Sequence, residues 1–141
     1  MKKLTMTFVL LLLPLVAATT YGQQPASDPL GNNLFPPELI MQNQQALNLS
    51  EEQQAFFKTE LREAQKRFVD LQWKLEDETE KLIALVKQRQ VDEAQTLAQL
   101  DKLLNAERDI KHAQIALLVR LKNKLTAEQQ EKLMELRRQA N

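Results

Sequence analysis

Two stretches of this chain repeat apolar residues at alternating steps of four and three. In the first, Phe57, Leu61, Ala64, Phe68, Leu71, Leu75, Leu82 and Leu85 keep to one seam, broken only where Glu78 takes the expected apolar position. That period puts them on one stripe of a helix that packs, coiled-coil fashion, against a neighbour. In the second, Leu97, Leu100 and Leu104 begin a stripe that Leu118, Leu121 and Leu125 finish. Between them Glu107, Lys111 and Gln114 interrupt it, while Leu103, Ala106, Ile110, Ala113 and Leu117 form a neighbouring stripe, so the buried face rotates midway. The exposed faces carry acidic residues four positions before basic ones: Glu63 with Arg67, Asp70 with Lys74, Asp77 with Lys81 and Glu107 with Lys111. Such pairs add a few tenths of a kcal/mol each and mark solvated faces.

Start signals divide the pattern into four helices. Pro36-Pro37 suits the first turn of a short helix ending near Leu47, since proline's missing N–H is not needed there. Ser50 with Gln53 forms a capping box that opens a second helix running to about Lys87. Asp92 with Gln95 makes a similar box for a third helix to about Lys124, and Thr126 with Gln129 one for a last helix to about Gln139. The phrases LSEEQQ and LTAEQQ, 76 positions apart, are thus helix starts, with Leu49 and Leu125 as the apolar residues just before the caps. Both glycines and all five prolines fall at or before Pro37. A sheet protein of this length needs turn glycines, whereas capping residues alone interrupt helices, so the body is all-α.

Helices of roughly 35 residues extend roughly 50 Å. Two of them joined through Gln88 to Val91 make a long antiparallel hairpin that two short flanking helices cannot cover. Apolar residues on more than one stripe call for a partner, and a homodimer is the expectation. Phe56, Val69 and Trp73 lie off the main seam and are the candidates for a dimer or client surface; the plainer alternative is that they touch the short helices.

The N-terminus sets the location. Met1-Lys2-Lys3 is a short positive start, and Leu4 to Ala18 is apolar apart from two threonines and broken by Pro14. A membrane span needs about 20 apolar residues, so this reads as a secretory signal over residues 1–22, cleaved after Gly22, with Ala18 as the second candidate site and an uncleaved anchor as the alternative. Residues 23–34 are a polar, Pro- and Gly-containing leader, and residues 35–141 form one domain. The expected location is the periplasm, with no stable membrane insertion once the signal is removed. Lys2 and Lys3 leave with it, so 17 of the 19 basic residues face 19 acidic ones. That balance excludes a nucleic-acid-binding surface. The absence of cysteine excludes disulfides and an N-terminal lipid anchor.

Catalytic chemistry finds no constellation. A di-iron bundle needs two Glu-x-x-His motifs, and His112 is the single histidine. Ser50 and Thr126 have no histidine beside them, and a cap accounts for both. Glu76, Asp77, Glu78 and Glu80 are an acidic run of the kind that faces solvent, with Glu78 placed to pair across a dimer. The chain is read as a non-enzyme without a cofactor. Asp109 and His112, at i and i+3, are the only candidate metal ligands, two where a divalent ion needs more, unless a symmetry mate supplies the rest.

The pair LSEEQ (Leu49, Ser50, Gln53) and LTAEQ (Leu125, Thr126, Gln129), behind a signal peptide in a helical chain, resembles the LTXXQ proteins of the Spy/CpxP group over residues 35 to 139. The segment NLFPPELIMQNQQALNLS is similar to the entry of the periplasmic heavy-metal sensor and resistance proteins related to CnrX and ZraP. The resemblance implies a four-helix protomer that pairs into an interlocked antiparallel homodimer. It further implies either ATP-independent holding of unfolded envelope proteins or restraint of an envelope-stress sensor kinase through its periplasmic domain, and, by the second likeness, heavy-metal sensing or resistance that regulates an envelope stress-signalling system. Cradles of the first kind are basic, and this chain is near neutral.

Overall fold

The computed structural model describes residue 30 and residues 33–140. The signal-peptide and cleavage-site readings lie outside them, as does most of the leader. Four helices follow in order: α1 (Pro37–Gln42), α2 (Glu51–Val86), α3 (Glu93–Lys124) and α4 (Ala127–Ala140). Among the described residues there is no strand, and no helix is long and apolar enough to cross a membrane. The all-α class and the long hairpin with two short flanking helices stand as read, with α2 and α3 packed along each other.

Ser50 has extended backbone and accepts the Gln53 N–H on its hydroxyl, while Gln53 accepts the Ser50 N–H, both at 3.1 Å. Thr126 and Gln129 repeat the exchange at 2.9 and 3.2 Å. At Asp92 only the forward half of the box forms, the carboxylate accepting the Gln95 N–H at 2.9 Å. The first helix stops at Gln42, short of the predicted Leu47. Asn43 is responsible: its side-chain amide donates to the Leu39 carbonyl at 2.8 Å, and its backbone leaves the helical region. The chain turns back through residues 43–48 and ends in Asn48 at φ 48°, a left-handed position that asparagine tolerates.

The two ends of the hairpin differ. Where α1 and α4 lie, Phe35, Ile40, Leu47, Leu49, Phe57, Leu117, Leu121, Leu125 and Leu133 form one buried cluster. Farther out only Gln99, Ala106 and Ala113 of α3 are buried, seven residues apart. Small side chains at that seam let the two helices approach closely. The midway rotation expected of α3 does not occur: Gln99, Leu103, Ala106, Ile110, Ala113, Leu117 and Leu121 make one continuous covered stripe, and Leu97 and Leu104 of the expected first stripe point outward, about half exposed. Gln99, Leu100, Leu103 and Ala106 carry the contact instead. Glu78 is satisfied within the chain: the Gln99 amide donates to its carboxylate at 2.6 Å and to its backbone carbonyl at 3.0 Å. Lys81 adds an ion pair at 3.2 Å.

Ion pairing also departs from the helical spacing. Lys81 pairs with Asp77 as read, but Glu63 pairs with Lys66, and Lys74 crosses the hairpin to Asp109 at 3.0 Å. Arg120 with Glu60 at 2.7 Å and Lys124 with Glu52 at 2.6 Å are two further bridges between α3 and α2. A lysine on the flank of a hairpin seam reaches a carboxylate on the opposite helix as readily as one a turn away on its own.

Candidate functional site

The two copies of the repeated phrase meet. Gln53 and Gln129 donate to each other's side-chain oxygens at 2.8 and 3.1 Å, closing a reciprocal amide pair. Each amide also accepts the N–H of its own cap residue and donates once to backbone: Gln53 to the Lys124 carbonyl at 2.9 Å, Gln129 to the Leu47 carbonyl at 3.1 Å. All four hydrogen-bonding positions of both amides are thereby used. Gln53 starts α2 and also satisfies an orphan carbonyl at the end of α3. The second glutamines match as well, Gln54 donating to the Leu49 carbonyl and Gln130 to the Leu125 carbonyl, each five residues back. Leu49 and Leu125 sit together in the core cluster. The phrase is therefore a structural joint between the helix starts, with both cap hydroxyls and both central glutamine amides engaged in it.

Farther along α2 a mainly apolar groove of about 630 Å³ runs between α1 and α2. Pro37, Met41, Leu61, Ala64, Phe68, Val69 and Leu117 line it, with Glu38, Gln65 and Gln72 as its polar members. Val69 is half exposed and Trp73, one turn farther on, is 66% exposed. Phe56 is placed otherwise: it packs against the core cluster, edge-on to Phe57 at 5.8 Å, with the Lys124 ammonium 5.2 Å from its ring. Sequence reasoning passed over Pro37 and Met41 as groove walls, because the wall exists only once α1 folds back onto α2.

On α3, His112 is exposed and makes no hydrogen bond or ion pair with a described residue. Asp109 is held by Lys74 at 3.0 Å and approached by Arg108 at 3.8 Å. The Lys74 hydrogen bond, more than any other influence, pulls the Asp109 carboxyl below its ordinary range. Similar donors hold Glu52 down through Lys124, and Glu78 down through Gln99 and then Lys81. Among the described residues no three His, Cys, Asp or Glu side chains converge as a metal site. Asp109 and His112 remain a pair whose carboxylate is already engaged, which does not fit a divalent ion held by one protomer.

No curated protein and no solved structure matches this chain. A family model described as heavy-metal resistance matches residues 4–138, and the chain belongs to that heavy-metal resistance family.

Proposed function

We propose that this protein serves heavy-metal resistance in the bacterial periplasm, as a helical adaptor that regulates an envelope stress-signalling system. Its membership of the heavy-metal resistance family across residues 4–138 carries the reading. The signal-like N-terminus, with its basic start and short apolar run, supports the location. Its working surface is the groove between α1 and α2, where an apolar segment of a partner displaces water from Leu61, Phe68 and Val69. Metal ligation by a single protomer is no part of this mechanism, because among the described residues no three such ligands converge. Deleting the gene and growing the strain against zinc, copper, nickel and cobalt tests the reading. Lost tolerance to at least one metal, restored by the gene, supports it; unchanged tolerance to all four overturns it.

A second reading, ATP-independent holding of unfolded envelope proteins, is favoured by the same groove. Its lining offers few polar groups to fix one orientation, and the exposed Val69 and Trp73 extend the apolar surface. Weak, sequence-tolerant capture needs a surface of that kind. Suppression of the aggregation of a denatured client by excess protein supports this reading, and no suppression by intact protein removes it.

A further inference from the structure

A second hollow, of about 110 Å³, opens between α2 and α3 and is lined by Ala64, Arg67, Phe68, His112, Ala113, Ala116 and Arg120. Three cationic or donor side chains edge it over an apolar floor. Arg67 makes no hydrogen bond or ion pair with a described residue, and Glu63, its expected partner one turn back, pairs with Lys66 at 3.4 Å instead. His112 likewise makes no hydrogen bond or ion pair with a described residue, its acidic neighbour being Asp109 three residues back, which Lys74 already holds. Arg120 uses only its Nε on Glu60, at 2.7 Å, which leaves both terminal nitrogens of its guanidinium for another acceptor. The acids nearest the hollow are engaged, Glu60 by Arg120 and Asp109 by Lys74. The chain as a whole is neutral, but this spot has donors to spare.

We propose that the hollow lined by Arg67, His112 and Arg120 is a binding site for a carboxylate. A guanidinium fork matches the two oxygens of a carboxylate, and a second donor group at the same point adds charge-assisted hydrogen bonds. The floor of Ala64, Ala113 and Ala116 admits one such group without a clash and excludes part of its water. Past His112 the surface continues into a neighbouring hollow edged by Lys111 and Ile115, so the carboxylate's carrier has an apolar bed beside a further cation. The hollow shares Ala64 and Phe68 with the groove assigned to function, but its donors Arg67, His112 and Arg120 lie outside that groove, and the proposal does not depend on that assignment.

His112 is the only histidine in the chain, so its ring resonances report on this site alone. The experiment follows them in the full mature protein at fixed pH and ionic strength while three probes are added. These are acetate, inorganic phosphate, and a blocked peptide carrying one glutamate flanked by leucines. A saturable shift with acetate and peptide alike assigns a free carboxylate ligand; saturation with the peptide alone assigns an acidic side chain of a partner protein. Arg67→Ala weakens the binding about tenfold, the loss of one charge-assisted contact at an exposed site. Lys58→Ala, which removes the same charge elsewhere on α2, leaves it within twofold. Circular dichroism of both variants establishes that they fold. The site is disproved if no carboxylate probe saturates, if phosphate alone does, or if both substitutions weaken binding equally.

Discussion

Gln53→Glu separates a helix cap from an interhelical joint. A capping box accepts glutamate as readily as glutamine, so if Gln53 served only to start α2 the exchange would be close to neutral. In the structure its amide nitrogen donates to the Lys124 carbonyl and to the Gln129 side-chain oxygen, at 2.9 and 2.8 Å. A carboxylate can donate to neither. It sets lone pairs against lone pairs at a position only 9% exposed. Two lost hydrogen bonds at about 1 kcal/mol each, and the partial desolvation of a charge, give a cost of about 3 kcal/mol at neutral pH. By comparison, Ser50→Ala, which removes one exposed cap contact, costs about 1 kcal/mol. The carboxyl introduced by Gln53→Glu is less acidic folded than unfolded, so the stability it removes is missing above the unfolded-state value and returns as pH falls. Urea denaturation followed by far-UV circular dichroism, at one protein concentration and several pH values, measures this. A cost no larger than that of Ser50→Ala, or one that does not shrink on acidification, would refute the joint.

Three other outcomes follow from the same contacts. Gln53→Ala and Gln129→Ala combined cost less than the sum of the two single changes, with a coupling of about 1 to 2 kcal/mol, because they share both amide–amide bonds; denaturation of the four proteins gives the value. Ala106→Leu, at a fully buried point of the α2–α3 seam, costs about 1 to 3 kcal/mol by overpacking, read as a fall in the denaturation midpoint. Glu52, Glu78 and Asp109 have carboxyls held below ordinary values of 4.5, 4.5 and 3.8. The stability they contribute is present above those values and lost as pH falls through the lower folded ones, so Glu78→Gln makes the acid limb of a stability-against-pH curve shallower.

Much of the fold was legible because helix starts are local. The Ser50 and Thr126 boxes involve residues three apart, and the seam from Phe57 to Leu85 is a property of one helix. The meeting of Gln53 with Gln129 was not legible, since it depends on the rotational phase with which α3 returns along α2. The same holds for Lys74, whose expected helical partner is Asp70, one turn back, but whose actual partner is Asp109. Gln99 could have been found: it stands seven residues before Ala106 and fourteen before Ala113, the spacing of a buried stripe, and a polar residue there needs a partner such as Glu78. The end of α1 was hidden because an asparagine stops it where no glycine or proline marks the place. Among the candidate surface residues, Phe56 sits against the core, Val69 lines the groove and Trp73 stands mostly in solvent. Trp73 fluorescence is accordingly suited to reporting an arriving partner more than the folding of the chain.

The measurement that bears most directly on the proposed role is metal tolerance of the deletion strain carrying one of three genes at equal protein level: wild type, Val69→Asp or Asp109→Asn. Val69→Asp places a charge on the groove wall at an exposed position, and Asp109→Asn removes the carboxylate three residues from the single histidine. The account predicts that the wild-type and Asp109→Asn genes restore tolerance and the Val69→Asp gene does not. Restoration by Val69→Asp together with failure of Asp109→Asn would contradict it and place the function in metal ligation.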